Sequence, residues 1–186
     1  MKFCQEIASQ KTHLSLQNSL QRLLPDMFEF QQVSLLYKSV AESKEDQLCF
    51  LKDYTKSDLQ ENKGYSDEIV RIPIDIGLTG KAIKEGQMIA SDKGSYDPRF
   101  RFESDNPLDI THIRNLIMMP LYVLSQGQRQ LMGVLQLYNR NRTDLIHELD
   151  KDLLLAVASI VGTVIETSDE LHRGFMVIYD MKQQLD

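Results

Sequence analysis

The feature that most constrains the fold is a pair of apolar segments, residues 114–123 and 131–139, separated by a short polar stretch that contains Gly127. Two strand-length apolar runs joined in this way are typical of a β-hairpin, and glycine supplies the positive φ that tight hairpin turns need. The chain is therefore expected to contain an antiparallel sheet.

Alternating apolar residues predict further strands upstream, over residues 28–40, 47–54, 69–74 and 88–90. Pro73 favours an edge or strand-end position for the third of these. Residues 77–86 predict a short helix that Gly86 ends as a C-cap. Helical spacing predicts one N-terminal helix over residues 2–24, stopping before Pro25, and another helix that begins near Glu148. Five or six strands with flanking helices predict an α+β fold.

Composition and charge exclude several classes of function. The 186 residues suggest one domain with flanking helices, and the net charge of −6 argues against a nucleic-acid partner. The longest nearly apolar stretch, 153–165, is shorter than the ~20 residues of a membrane span. With no signal-peptide core at the start, we expect a cytoplasmic protein without a membrane span.

Residues that could carry catalysis or hold a metal form no recognisable group. Cys4 and Cys49 lack metal-ligand spacing and are interpreted as reduced, buried thiols, and the four histidines are scattered. No metalloprotease, serine-hydrolase or paired-carboxylate signature is present. We therefore expect no catalytic residue, no metal site and no enzyme activity in this segment, although a parent protein with a phosphodiesterase or cyclase domain is compatible with it.

From Ile69 onward the sequence resembles the GAF domain family, and within it the GAF domains of cyclic nucleotide phosphodiesterases. The resemblance covers roughly residues 30–165. It is carried by Ile72-Pro73, Gly77-Leu78-Thr79-Gly80, Asp97-Pro98-Arg99-Phe100, Arg114-Asn115-Leu116-Ile117 with Pro120, and Gly133-Val134-Leu135-Gln136-Leu137-Tyr138-Asn139-Arg140.

The resemblance implies a GAF fold, with a six-stranded antiparallel sheet and the N- and C-terminal helices packed together on one face. It also implies that Asn139, Arg140 and Asp150 belong to a structural motif in which Arg140 pairs with Asp150. The motif is half kept, because Ile146 and Lys151 replace its Phe and Glu.

In ligand-binding relatives a nucleotide lies between the sheet and the irregular middle segment, here residues 91–113. By position, the resemblance implies a pocket formed by residues of both parts: Ser34, Thr79, Asp109, Ile113 and Gln136. Cyclic AMP or cyclic GMP is the implied ligand. Asp109 and Ile113 replace hydroxyl side chains of the nucleotide-binding relatives, and the polar residues have a second interpretation as buried groups satisfied by the backbone.

The last helix carries an imperfect heptad pattern that includes Val157, Val164, Leu171, Ile178 and Leu185. We expect it to cover the sheet up to about Ile165 and to form a homodimer seam beyond it. The predicted organisation is an N-terminal helix (1–27), a GAF domain (28–165) and a helical extension (166–186) towards an output domain of a longer protein.

Two functions remain open from the sequence. The first is a cyclic nucleotide-like sensor that transmits binding through its terminal helices. The second is a ligand-free module for dimerisation or protein-protein interaction, whose pocket is filled by its own side chains.

Overall fold

The computed structural model describes residues 2–38, 47–52, 68–141 and 148–183. These residues form six strands and five α-helices. In chain order they are α1 (Lys2–Ala8), α2 (His13–Phe28), β1 (Gln32–Lys38), β2 (Gln47–Lys52), β3 (Glu68–Pro73), α3 (Gly77–Glu85), β4 (Ile89–Ser91), α4 (Phe102–Asp105), β5 (Leu116–Ser125), β6 (Gln128–Tyr138) and α5 (Glu148–Gln183).

The strands form one antiparallel sheet in the order β3-β2-β1-β6-β5-β4. The predicted hairpin is formed by β5 and β6, of which β6 is one of the two central strands, and its turn consists of two residues, Gln126 and Gly127. Both have positive φ, 50° and 79°, as a tight hairpin turn requires. Pro73 is the last residue of the edge strand β3. At this position the missing N–H of proline removes no hydrogen bond between inner strands of the sheet. The predicted six-stranded α+β fold is confirmed.

One face of the sheet is covered by the helices α1, α2 and α5. Leucines of α2 and valines of α5 pack on side chains of β1, β5 and β6 in a buried apolar cluster that includes Leu16, Leu20, Leu24, Val33, Leu35, Val157, Val161 and Ile165. The prediction that the terminal helices pack together on one face is therefore confirmed. The approach of α5 to β5 is close, because a Cβ added at Gly162 would lie 3.4 Å from the Tyr122 carbonyl oxygen.

The N-terminal region departs from the prediction of a single helix over residues 2–24, which is wrong. α1 ends at Ala8, and α2 begins after Thr12, whose hydroxyl accepts from the Ser15 N–H at 3.1 Å while the Ser15 hydroxyl accepts from the Thr12 N–H. Pro25 does not stop α2 either. It lies in the last turn, where buried Leu24 and Phe28 hold the backbone in helical form.

The other face of the sheet is covered by α3, α4 and the irregular segment around them. Its apolar cluster includes Leu36, Leu78, Ala82, Ile113, Met118 and Val134. The C-terminal end of α3 is tied to the β5–β6 hairpin, since the Tyr122 hydroxyl donates to the Ile83 carbonyl at 2.9 Å and Arg129 Nη2 donates to the Gly86 carbonyl at 3.0 Å. The Arg129 guanidinium also lies 3.9 Å above the Tyr122 ring.

Candidate functional site

The N-terminal end of α3 is capped by a carboxylate from a distant segment. The local N-cap residue, Ile76, has no side chain that can accept a hydrogen bond from the helix. Instead the fully buried Asp105, at the end of α4, accepts from the Leu78 N–H and the Thr79 N–H, both at 2.9 Å, and from the Thr79 hydroxyl at 2.7 Å. A negative charge at this position is favoured by the free N–H groups and the dipole of the helix.

The same carboxylate also holds its own segment. It accepts from the Arg101 N–H at 2.8 Å and from the Ser104 hydroxyl at 3.2 Å. Among the described residues, no lysine or arginine side chain pairs with Asp105. Its charge is therefore balanced by N–H and hydroxyl donors of α3 and α4.

Gln136 and Tyr138 of β6 extend this network across the floor of the site. Gln136 Nε2 donates to the Thr79 hydroxyl oxygen and to the Ser104 carbonyl, both at 2.9 Å, and Gln136 Oε1 lies 2.7 Å from the Tyr138 hydroxyl. The Tyr138 hydroxyl also lies 3.0 Å from the Asp105 carbonyl oxygen. Burial, with a contribution from the Asp105 charge, raises the pKa of Tyr138 well above its ordinary value, so the phenol remains a donor.

Little room remains between α3 and α4. A Cβ added at Gly77 would lie 2.3 Å from the Ser104 hydroxyl oxygen and 2.4 Å from Asp105 Oδ2. Gly77 has a φ of +71°, a conformation that other L-residues rarely adopt. Glycine is therefore needed here both for the entry of the chain into α3 and for the close contact with α4.

Of the five predicted pocket residues, three lie together. Ser34, Thr79 and Gln136 are fully buried on the α3 face of the sheet, and Ser34 is the register partner of Gln136. Asp109 is exposed, and Ile113 is buried in the apolar cluster of this face. Sequence reasoning missed Asp105, Ser104 and Tyr138. Tyr138 follows Gln136 by two residues on one strand, so strand alternation places it on the same face.

The Ser34 hydroxyl differs from its neighbours in having no hydrogen-bond partner. It is fully buried, and its side chain points to the face that carries Gln136, because Val33 and Leu35 on either side belong to the helical face. Buried polar groups without a partner are uncommon and often mark the place of a water molecule or ligand.

The predicted structural motif lies at the far end of β6. Arg140 is 2% exposed, its Nη2 lies 2.6 Å from Asp150 Oδ2 at the start of α5, and its Nε donates to the Phe28 carbonyl at 3.1 Å. Asn139, with a φ of 56°, accepts from the Arg114 N–H at 2.8 Å. These contacts join α2, β6 and α5, and they lie away from the Asp105 network.

A shallow depression of about 370 Å³ lies on the surface beside β4, lined by Ala90, Ser91, Asp92, Lys93, Asp97, Pro98 and Arg99. Asp97 is buried and receives two hydrogen bonds from the Arg99 guanidinium, at 2.8 and 2.6 Å, and one from the Ser91 hydroxyl at 2.7 Å. These hydrogen bonds with Arg99 lower the pKa of Asp97 well below its ordinary range. The ion pair between Asp97 and Arg99 therefore stabilises the loop that contains both residues.

The chain's two cysteines lie away from the α3 face. The prediction of two buried thiols is wrong for Cys4, which is exposed on α1. Cys49 is buried on β2 between Leu48 and Phe50, which face α3, so its thiol points to the helical side. Within the described ranges, no group of three or more His, Cys, Asp or Glu side chains has metal-site geometry. In the same part of the chain, no helix is both long and apolar enough to span a bilayer.

Solved structures with the same architecture are numerous and distant in sequence. The GAF domain of a phosphoenolpyruvate-protein phosphotransferase from Coxiella burnetii is 12% identical, with a TM-score of 0.68 over 92% of this chain and 93% of that one. A free methionine-R-sulfoxide reductase from Neisseria meningitidis, solved with its substrate, is 18% identical, with a TM-score of 0.62 over 91% and 87%. The GAF domain of a two-component sensor histidine kinase from Bacillus halodurans is 18% identical, with a TM-score of 0.56 over 88% and 99%.

At these identities the likeness shows a shared fold. A search of curated proteins by sequence finds no match. The model of the GAF domain family matches residues 13–165, which is most of the chain and spans α2 to the core-facing part of α5. The chain therefore belongs to the GAF domain family.

Proposed function

We propose that this chain is a regulatory GAF module of a larger signalling protein, and that its pocket is closed to free cyclic nucleotides by its own side chains. The observation that carries this proposal is the Asp105 carboxylate bound to the first turn of α3. In this module the output depends on association through the helices and not on occupation of the sheet face.

A helix N-terminus is the natural place for the phosphate of a nucleotide, because its N–H groups are free and its dipole favours anions. In this chain the N–H groups of Leu78 and Thr79 already bind Asp105. A phosphate that approached them would meet a buried carboxylate at the same donors. The two negative charges would repel each other at that distance, so phosphate binding is unfavourable while Asp105 occupies these donors.

The polar side chains of the pocket are also engaged within the protein. Both protons of the Gln136 amide have acceptors, and its oxygen lies next to the Tyr138 hydroxyl. The Thr79 hydroxyl donates to Asp105 and accepts from Gln136. A base or ribose would have to break these bonds to make its own, which supports the second of the two functions predicted from the sequence.

A regulatory role is also better supported than an enzymatic one. The reductase from Neisseria meningitidis shares the fold at 18% identity. Here neither Cys4 nor Cys49 lies on the α3 face, and His112, in the irregular segment, is exposed. Solved structures that share the fold include the GAF domains of a two-component sensor histidine kinase and of a phosphoenolpyruvate-protein phosphotransferase, and this supports a place in a signalling protein. The segments that resemble phosphodiesterase GAF domains also support the proposal that this chain is a regulatory domain of a longer protein.

Free cyclic nucleotides should leave the stability of the protein unchanged. With cyclic AMP or cyclic GMP at millimolar concentration, we expect the melting temperature to move by less than about 1 °C, because the donors of the pocket are occupied. A ligand present at 100 times its dissociation constant would add about 2.7 kcal/mol and raise the melting temperature by about 5–10 °C. Adenosine and guanosine, which lack the phosphate, are the matched controls. A rise of several degrees with one cyclic nucleotide would overturn the closed-pocket proposal.

A second candidate function, the small-molecule sensor, is favoured by the Ser34 hydroxyl. This hydroxyl is fully buried, lies next to Gln136 on the α3 face and has no partner, so it remains able to bind a ligand. A nucleotide-specific rise in melting temperature that is lost in a Ser34→Ala variant would support the sensor and identify its contact.

We assign dimerisation of the chain to the second half of α5. Within the part of α5 whose side chains are described, the last residue of the buried cluster is Ile165. The family model ends at the same residue, and the helix continues to Gln183. Along this continuation the seven-residue spacing of Val164, Leu171 and Ile178 is typical of a helical seam. Leu185, the last member of the pattern, lies outside the described residues.

Replacing Leu171 and Ile178 with glutamate should convert the protein from a dimer to a monomer, because two charges on an apolar seam oppose its burial. Light scattering coupled to size exclusion measures the mass. The matched control is Thr163→Glu, which places one charge on an exposed position of the same helix and should leave the mass unchanged. A wild-type protein that is already monomeric, or a double variant of unchanged mass, would contradict the seam.

A further inference from the structure

The first half of α5 carries two apolar faces, and only one of them packs on the sheet. Leu154, Val161 and Ile165 belong to the buried cluster of the helical side. Leu149 and Leu153 lie on a neighbouring face of the helix and are 70% and 57% exposed. Large apolar side chains grouped on the surface of a soluble protein are typical of an interaction site.

The exposed residues follow the spacing of a helix-helix interface. Leu149, Leu153, Ala156 and Ile160 are separated by four, three and four residues, which is the alternation of a coiled-coil seam. With ~3.6 residues per turn, the four lie within about 60° of one another around the axis of α5. Ala156 is exposed and Ile160 is only partly buried. This face is called the outer stripe of α5.

The outer stripe is continuous with the second half of the helix. Leu171 and Ile178 follow Ile160 at close to a whole number of turns, so the helical period places these positions in the same sector. Between Ile160 and Leu171 the sector contains only Thr167, whose hydroxyl donates to the Thr163 carbonyl at 2.9 Å. A partner that covers Thr167 therefore leaves its hydroxyl satisfied within the helix.

The length of this face indicates what covers it. From Leu149 to Ile160 it extends over about 17 Å, whereas from Leu149 to Ile178 it extends over about 44 Å. A coiled-coil seam needs an apolar pattern sustained over roughly three to four heptads, and only the full length provides it. The partner must present an apolar face of matching length and spacing. A second copy of α5 presents one, because pairing about a two-fold axis brings the same surface to both sides.

We propose that the outer stripe of α5 is covered by α5 of a second copy of this chain, so that the dimer interface begins beside the sheet and not beyond Ile165. This inference rests on the proposed function, which assigns dimerisation to the second half of α5. It adds that the first half of α5 contacts the sheet through one face and the second copy through the next. A displacement of α5 on the sheet then acts directly on the contact between the two copies.

The first test introduces a charge on the outer stripe. Leu153→Glu should raise the dissociation constant of the dimer by about 100-fold or more, because both copies then place a carboxylate in the interface. Sedimentation equilibrium over a series of concentrations measures the constant, and circular dichroism checks that the variant is folded. Leu155→Glu is the matched control and should leave the constant unchanged. Leu155 is also exposed, at 46%, and lies about 160° from Leu153 around the helix.

Thiol labelling provides a second measurement that introduces no charge. The background variant Cys4→Ser removes the exposed thiol of α1 and keeps the buried Cys49. In this background, Leu153→Cys should react with a maleimide several-fold more slowly than Leu155→Cys at concentrations where the protein is dimeric. Dilution below the dissociation constant should remove the difference. Equal reaction rates at the two positions in the dimer would overturn the proposal.

The outcomes separate this inference from the seam beyond Ile165. If Leu171→Glu/Ile178→Glu dissociates the dimer and Leu153→Glu does not, the outer stripe is overturned and the seam is retained. If only Leu153→Glu dissociates it, the outer stripe is supported and the seam is contradicted. Dissociation by each variant supports one interface along the whole helix. A wild-type protein that is monomeric at every concentration would overturn both and assign the stripe to a different protein.

Discussion

Replacing Asp105 with alanine should lower the free energy of unfolding by about 3–5 kcal/mol, a large loss for one residue. The substitution removes a charged acceptor that is bonded to three N–H groups and two hydroxyls, and it leaves the buried Leu78 and Thr79 N–H groups without an acceptor. Urea denaturation followed by circular dichroism measures the loss.

The control for this loss is Glu103→Ala on the same short helix. Glu103 is exposed, and its removal should change the stability by no more than about 0.5 kcal/mol. A loss of under 1 kcal/mol in Asp105→Ala would mean that water or a neighbouring group replaces the carboxylate at the helix end. The described contacts of α4 would then contribute little to holding the segment in place.

The second large effect is expected at the end of β6. Asp150→Ala should lower the free energy of unfolding by about 2–3 kcal/mol, because it leaves the buried Arg140 guanidinium without the carboxylate that lies 2.6 Å away. Breaking a fully buried pair costs about 3–5 kcal/mol. The Asp150 side chain is 18% exposed, so water reaches it and the lower figure is expected.

Asp152→Ala, which removes an exposed carboxylate from the same turn of α5, is the matched control and should be nearly neutral. The double variant Arg140→Met/Asp150→Ala should recover part of the loss, since no buried charge then remains. If the double variant is as unstable as the sum of the single variants, Arg140 acts mainly through its bond to the Phe28 carbonyl and its packing on Phe30.

The elements that the sequence predicted well are those defined by local signals. Gln126-Gly127 determines the hairpin, Gly86 ends α3, and alternation identifies the inner strands. The N-terminal helix was predicted wrongly because the apolar spacing continues across residues 9–12. The break between α1 and α2 depends on the capping box formed by Thr12 and Ser15. In the sequence this capping pair is a weaker signal than the helical spacing of the apolar residues.

The candidate site was predicted only in part, for a physical reason. Thr79 and Gln136 were named from the resemblance to GAF domains, and both are buried on the α3 face. Asp105, which occupies the helix end they surround, lies 26 residues from Thr79, in the four-residue helix α4 of the otherwise irregular middle segment. No local pattern indicates that a carboxylate from so far along the chain caps α3. The sequence therefore does not distinguish a site that Asp105 fills from an open site.

The attachment of α3 to the β5–β6 hairpin determines how this helix can move. The C-terminal end of α3 is fixed through Ile83 and Gly86, whereas its N-terminal end is held by Asp105. If the contact with Asp105 is lost, α3 can rotate about its hydrogen bond with Tyr122. Tyr122 bonds to α3 through its hydroxyl on one face of the sheet, and its carbonyl lies beside Gly162 of α5 on the other. We therefore expect a tilt of α3 to reach the middle of α5 through Tyr122, with Arg129 as a second attachment of α3 to the hairpin.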